Sequence, residues 1–356
     1  MLTPLSLTAH QPPDRFYLGG EKIAAFRGTP SDDETARGAR VPEDWVASVT
    51  CVAGESQLGL TVLLDGRTLA DAIAGDPQAW LGPDHVNSFG SDTKLLVKLL
   101  DAGQRLPVHA HPDTAFARTH LGRTHGKAEA WCILHGGIVH LGLKADLDQE
   151  TLAHLVETQD VATMLPLLHE VPVVAGDTVF VPAGTLHAIG EGIFLAELQE
   201  PEDLSILLEW RGFELDGAAD GHLGLGFDVA LDAIDRRGRS RAEIDSLITA
   251  YGTGDSILAH DADEFFRLGR TVVTGTTELD PGFAVLIVTD GSVQLRSAGG
   301  YSEQLATGAT VVVPFAAGPL HFSGQAEILV ARPPIPTFTG AEHTSPAVRS
   351  QQPTAQ

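Results

Sequence analysis

The sequence predicts a mainly β protein, built as two similar β-barrels with helical insertions. Three observations carry this. Short apolar runs alternate with Gly, Asp and Pro, with 38 Gly and 21 Pro in 356 residues, the pattern of many short strands closed by turns. One β unit occurs twice: CILHGGIVHL (132–141) and GDTVFVPAGTLH (176–187) are echoed by LIVTDGSVQL (286–295) and GATVVVPFAAGPLH (308–321). Each copy runs strand, Gly turn, strand, then a Gly-(five)-Pro unit that ends on His. Finally, helical periodicity is confined to a few segments.

In chain order, strands are expected at 46–52, 59–64, 94–100, 131–141, 177–182, 193–198 and 205–210, then at 283–288, 292–296, 310–314 and 327–331. A helix is expected at 68–80, with Leu69, Ile73 and Trp80 on one side. A second, at 148–168, opens on an acidic cap and keeps Leu152, Leu155 and Val156 in register. A third helical region covers 227–234 and 241–251, split by the basic turn DRRGRSR. The tail from Pro333 is rich in Pro, Thr, Ser and Gln and is expected to fray. The expected organisation is a metal-binding barrel over 1–215 with its insertion at about 146–170, a helical connector over 216–258, a second barrel over 259–335 and a tail over 336–356.

Composition excludes several functions. With 23 basic and 47 acidic side chains the net charge is −24. That argues against a general nucleic-acid binder, which neutralises phosphates with basic patches, and against an anionic membrane surface. No apolar run approaches the roughly 20 residues that span a bilayer, and the first residues do not read as a signal peptide. Cys51 and Cys132 give no disulfide framework. A cytoplasmic protein is expected, as a monomer or a dimer.

The strongest chemical signal starts at Gly103. His109 and His111 follow in LPVHAHPD, then Glu129 and Gly136. Two His at i and i+2 on a strand share a face and can present two imidazoles to one ion. The second half runs Gly176, Pro182, Gly184, His187. Three His and one Glu suit a borderline divalent ion with room left for a substrate oxygen. His120, His125, His135 and His140 lack such context and read as surface or supporting groups. In the second barrel, aligning Gly291 with Gly137 puts Phe283 at the place of Glu129 and leaves a lone His321. That is too few ligands, so this barrel is expected to hold no metal.

These two patterns resemble the two motifs of the cupin family. The gap from His111 to Glu129 holds 17 residues, and this long insert, closing on GKAE, resembles the type I mannose-6-phosphate isomerases. LLVKLLDAGQRLPVHAHPD, FYLGGEKIAAF, EDWVAS and VPAGTLHAIGEGIFLAELQ carry the same resemblance, which spans roughly 15–332 and is closest to the shorter bacterial branch.

The resemblance implies cupin-type (jelly-roll) barrels, a metal-free second barrel, and a metal held by His109, where the family usually has Gln, with His111, Glu129 and His187. It implies zinc, while manganese, iron, cobalt and nickel fit the same donors. Lys127 falls on the family's active-site lysine, Lys98 on a lysine near the pocket, and Glu197 on an acidic residue of the site. Pro107 stands where the family has a phosphate-binding serine, and Leu207 where it has an arginine. Arg211, on the same strand parity as Glu209, is the expected stand-in within the catalytic set, and Arg118 and Arg123 could complete a replacement anion site. The implied reaction is conversion of mannose 6-phosphate to fructose 6-phosphate through an enediolate, with Glu197 or Lys127 moving the proton. Other readings are an isomerase of an unphosphorylated sugar, a sugar-binding cupin without turnover, and an iron oxygenase. Lys127 beside Glu129 and the isomerase-like insert argue against the last.

Overall fold

A computed structural model describes residues 2–28 and 39–336. The expected tail lies almost wholly outside the described residues. The strands are β1 (Leu5–Leu7), β2 (Glu43–Val46), β3 (Leu96–Asp101), β4 (His109–Ala110), β5 (Glu129–His135), β6 (Gly137–Leu143), β7 (Leu168–Val173), β8 (Thr178–Val181) and β9 (His187–Ile189). They continue as β10 (Phe194–Gln199), β11 (Ile206–Leu207), β12 (Ile248–Thr249), β13 (Arg267–Leu279), β14 (Ala284–Ser297), β15 (Ser302–Ala306), β16 (Thr310–Val313) and β17 (Leu320–Arg332).

They form three antiparallel sheets. Two belong to the first unit: β12-β8-β5-β10-β3-β2 and β11-β4-β9-β6-β7. The third runs β1-β16-β14-β17-β13, with β15 paired to β14. This is the mainly β, antiparallel architecture that the short strands and the repeat predict. The sheets do not follow the expected domain limits, however. β1 pairs with β16, Leu5 opposite Val312, and β12 of the connector pairs with β8. Both unit boundaries are thus crossed by hydrogen bonds.

The core is continuous from the first unit to the third sheet. One cluster joins Leu99, Trp131, Val139 and Leu195 to Phe266, Val285, Ile287 and Val312. A buried cation fastens the same junction. Arg270, 2% exposed, donates to the Gly176 carbonyl at 2.9 Å and to the Cys132 sulfur at 3.2 Å. Its guanidinium stacks on Tyr251 at 4.3 Å and lies 3.4 Å from Glu327. Together these reward a planar, permanently charged fork.

The helical expectations hold in part. Residues 68–80 break into Leu69–Gly75 and Pro77–Leu81, because Pro77 cannot extend a helix and Asp76 caps a new one, accepting from the Ala79 N–H. Residues 148–168 form Gln149–Thr158 behind an Asp148 cap. Gln159 ends that helix with φ +52°, and by Leu168 the chain is already in β7. Leu152, Leu155 and Val156 pack with Val108, Ala188 and Ile206, so this helix covers the outer face of the five-stranded sheet. Residues 241–251 give a helix only over Arg241–Asp245, followed by β12.

Two strand expectations shift. In place of the run expected at 46–52 the strand is Glu43–Val46, and Ala47 turns the chain out of it with φ +52°. Residues 59–64 make only a single bridge, Val62 to Thr68. Conversely, β13 falls outside the expected strands, because its exposed positions, Val272, Thr274, Gly275, Thr276 and Glu278, leave no strict apolar–polar alternation to read.

Gly103, the first residue of the metal motif, abuts Gly19. A Cβ there would lie 2.1 Å from the Gly19 carbonyl oxygen, a backbone atom that cannot swing aside. Gly103→Ala is expected to destabilise the fold by roughly 3 kcal/mol or more, read by denaturant unfolding. A loss within about 0.5 kcal/mol would mean that the two backbones are free to part.

Candidate metal centre

Strand pairing assembles the site. β4 and β9 place His109 opposite His187, and His111 follows just after β4. Glu129 opens β5 in the other sheet, so the donors come from both sheets of the first unit. The ligand nitrogens of His109, His111 and His187 lie within 4.8 Å of one another. Glu129 joins them, with carboxylate oxygens 3.0 Å from His111 Nε2 and 3.2 Å from His187 Nε2.

The imidazole tautomers are set by the backbone. His109 Nδ1 meets the Pro107 carbonyl at 2.8 Å, His111 Nδ1 the Leu204 carbonyl at 2.7 Å, and His187 Nδ1 the Thr185 carbonyl at 2.9 Å. A carbonyl only accepts, so each Nδ1 carries the proton and each Nε2 presents a lone pair. The His187 Nε2, in a fully buried side chain, has the Glu129 carboxylate beside it, at 3.2 Å. With the proton on Nδ1, that is a lone pair facing an acceptor oxygen, an arrangement that calls for a cation between them. Burial and neighbouring imidazoles hold His109 well below the usual histidine range. Burial and the Lys127 ammonium hold His111 down at about 4. These are neutral imidazoles, as metal ligation requires. The donor set fits one divalent ion.

Beside the ligands is a small cavity of about 40 Å³. Lys127, two residues before Glu129, donates to Glu129 at 2.7 Å and lies 3.9 Å from Glu197. Burial opposes its charge, but Glu129 and Glu197 outweigh burial and raise its pKa. Glu197 stands opposite Lys98 in the β10–β3 pairing, with Lys98 Nζ at 3.9 Å. Burial, reinforced by Glu129, pushes Glu197 up to about 7. Lys98 and Glu197 are therefore buried neighbours and also part of the cavity wall.

Four further groups line this cavity and carry no role in the sequence reading: Arg15, Tyr17, Glu43 and Asp203. Arg15 faces Asp203 at 3.4 Å and Glu43 at 3.5 Å. Tyr17 and Trp45 both donate to Glu43, at 2.5 and 2.7 Å. Strand parity on β2 was the available signal for Glu43, since residues 43 and 45 share a face and Trp45 stands opposite Lys98. Asp203 and Arg15 sit on loops and gave none.

The expected replacement anion site is not assembled. Arg211 is exposed, and its guanidinium donates to the Thr158 carbonyl at 3.4 Å. The parity argument fails because β11 stops at Leu207. Past that point Glu209 turns to Arg105 and the Val108 N–H instead. Arg118 is exposed, and Arg123, 53% exposed, lies 3.9 Å from Glu202. None of the three lines the cavity. His120 and His135 are exposed and His140 is buried. His125, also buried, meets Asp92 at 2.8 Å. His321 is half exposed and faces Glu278 at 3.5 Å.

No family model matches the chain. A mannose-6-phosphate isomerase of Streptococcus mutans is 28% identical over 283 residues, 77% of this chain and 84% of that protein. A probable mannose-6-phosphate isomerase of Bacillus subtilis is 32% identical over 160 residues, 44% of this chain and 47% of the relative. A putative mannosephosphate isomerase structure from Archaeoglobus fulgidus superposes with a TM-score of 0.71 at 19% identity, covering 93% of this chain and 98% of the other. This chain has the phosphomannose isomerase fold. The mannose 6-phosphate isomerase structure from Bacillus subtilis agrees, with a TM-score of 0.68 at 20% identity over 93% of this chain and all of the other. The resemblance read from the two cupin motifs is thus borne out in sequence and in phosphomannose isomerase architecture. Among the described residues no helix is long and apolar enough to cross a membrane.

Proposed function

We propose that the chain is a metal-dependent aldose–ketose isomerase that interconverts mannose 6-phosphate and fructose 6-phosphate. The observation that carries this reading is the convergence of three Nε2 lone pairs and the Glu129 carboxylate beside a cavity walled by Lys127 and Glu197. His109, His111, Glu129 and His187 would hold the ion, with zinc the best match to imidazole and carboxylate donors. When bound, the ion polarises the oxygens at carbons 1 and 2 of the open-chain sugar. Glu197, poised near neutrality, takes the proton from carbon 2 and returns it to carbon 1. The Lys127 ammonium donates to the oxygen on which charge develops. We place the protein in the cytoplasm, in keeping with its two unpaired cysteines.

A second reading has a specific observation behind it. Every cation lining the cavity already faces a carboxylate: Arg15 and Lys98 face Glu43 and Asp203, and Lys127 faces Glu129. Alternating acids and bases suit sugar hydroxyls, which donate and accept, and favour an unphosphorylated aldose. The test is kcat/KM for mannose and mannose 6-phosphate on enzyme of known metal content. A preference for the phosphosugar is expected, with Arg118→Ala, Arg123→Ala and Arg211→Ala each within about twofold of the parent. A preference for free mannose would select the second reading. No turnover of either sugar by fully metallated protein would overturn the isomerase and leave a sugar-binding protein.

A further inference from the structure

We propose that Arg267 and Arg332 form a binding site for a phosphate group, separate from the metal centre. The two arginines stand directly opposite each other in the β13–β17 pairing. Like charges in that position destabilise a sheet. In a chain of net charge −24, acidic partners are abundant, yet neither arginine forms an ion pair among the described residues. Arg267 donates through Nε to the Pro333 carbonyl at 3.1 Å, and its two terminal nitrogens have no protein partner among the described residues. Arg332 donates to the carbonyls of Asp280 at 2.7 Å and Pro281 at 3.5 Å. Two guanidinium forks with donors to spare therefore face one another on one strand pair.

A cavity of about 160 Å³ opens beside them. That is the room of about five waters, enough for a phosphate and its first substituent atoms. Leu81, Gly82, Phe283 and Phe315 line it together with the two arginines. The backbone is shaped for Arg332: Gly282 has φ +156°, and a Cβ there would lie 1.9 Å from Arg332 Nη1. Burial and the neighbouring Arg267 lower Arg332 to about 10, against the opposing pull of Asp280 and Asp255. Asp84, at the rim, is exposed. A dianion offering bidentate acceptors would remove the repulsion and satisfy both forks, which is the geometry that arginine recognises best. It would also tie the Pro77–Leu81 helix to the C-terminal sheet. The ligand class is a phosphate group, free or as the monoester of a small metabolite.

The test is calorimetric titration of the full-length metallated protein with inorganic phosphate and with glycerol phosphate, at constant ionic strength in chloride. One saturable site is expected, weakened at least about tenfold by Arg267→Gln and by Arg332→Gln. Tighter binding of glycerol phosphate would identify a monoester as the ligand, and equal binding free phosphate. If Arg332→Gln fails to fold, Arg267→Gln decides, because it gives up only one carbonyl hydrogen bond. Absence of saturable phosphate binding, or unchanged affinity and stoichiometry in Arg267→Gln, would overturn the site. Binding elsewhere, at the metal cavity for example, survives both substitutions and is told apart in that way.

Discussion

His187→Ala is expected to strip the protein of its tightly held metal and to lower kcat/KM by more than about a thousandfold. His187 is fully buried, its Nδ1 is committed to the Thr185 carbonyl, and its Nε2 faces the shared donor cluster. Among the described residues no fourth imidazole joins this cluster to replace it, since His109 and His111 already present their own nitrogens. Losing a group that merely orients a ligand costs 10- to 100-fold in affinity, and losing the ligand itself costs more. The measurement is metal content after dialysis against a mild chelator, alongside the isomerase assay. A full equivalent of tightly bound ion in the variant would falsify the assignment of His187. Folding is checked independently by denaturant unfolding of the metal-free variant.

Glu197→Gln is expected to reduce kcat by about 10²–10⁴, the usual worth of a positioned general base. The substitution keeps shape and burial and removes only the ability to take a proton. In the parent enzyme the acid limb of kcat/KM should fall at or below about pH 7. Glu197 lies at about 7, and a bound cation nearby can only draw a carboxyl lower. The limb should vanish in the variant. A linked stability effect has the opposite sign from the usual carboxylate. The folded state holds this proton up to about pH 7, whereas an unfolded glutamate releases it near 4.3. In metal-free protein, stability should therefore fall as pH rises through that window, and Glu197→Gln should remove part of the fall. If the acid limb persists unchanged in Glu197→Gln, Lys127 becomes the better candidate for the proton.

The convergence of His109, His111 and His187 was legible because a shared strand face fixes both residue type and spacing. His109 and His111 must share a strand face, and the glycines and Pro182 must turn His187 toward them. The repeat was legible for a similar reason. Gly176 and Gly308 both hold positive φ, at +97° and +87°, where few other residues fit. What escaped depended on where strands stop. Arg211 was expected in the cavity by counting along a strand that ends at Leu207. Arg15 and Asp203 reach the cavity from loops, and loops have no period to count. β1 escaped because three residues offer no pattern, and its partner lies at the other end of the chain.

That last pairing has a consequence for synthesis. Leu5 finds its neighbour only when Val312 has been made, roughly 300 residues later. At ribosomal rates of about 5–20 residues per second, that is on the order of 15–60 s of waiting. Through that interval the amino-terminal strand has no sheet to join, and β16, when it emerges, presents an open edge until the strand arrives. A nascent chain of this kind cannot finish from its beginning. Its last sheet closes on Leu5–Leu7, so a ribosome that stalls before Thr310 releases a polypeptide in which that strand is still unpaired.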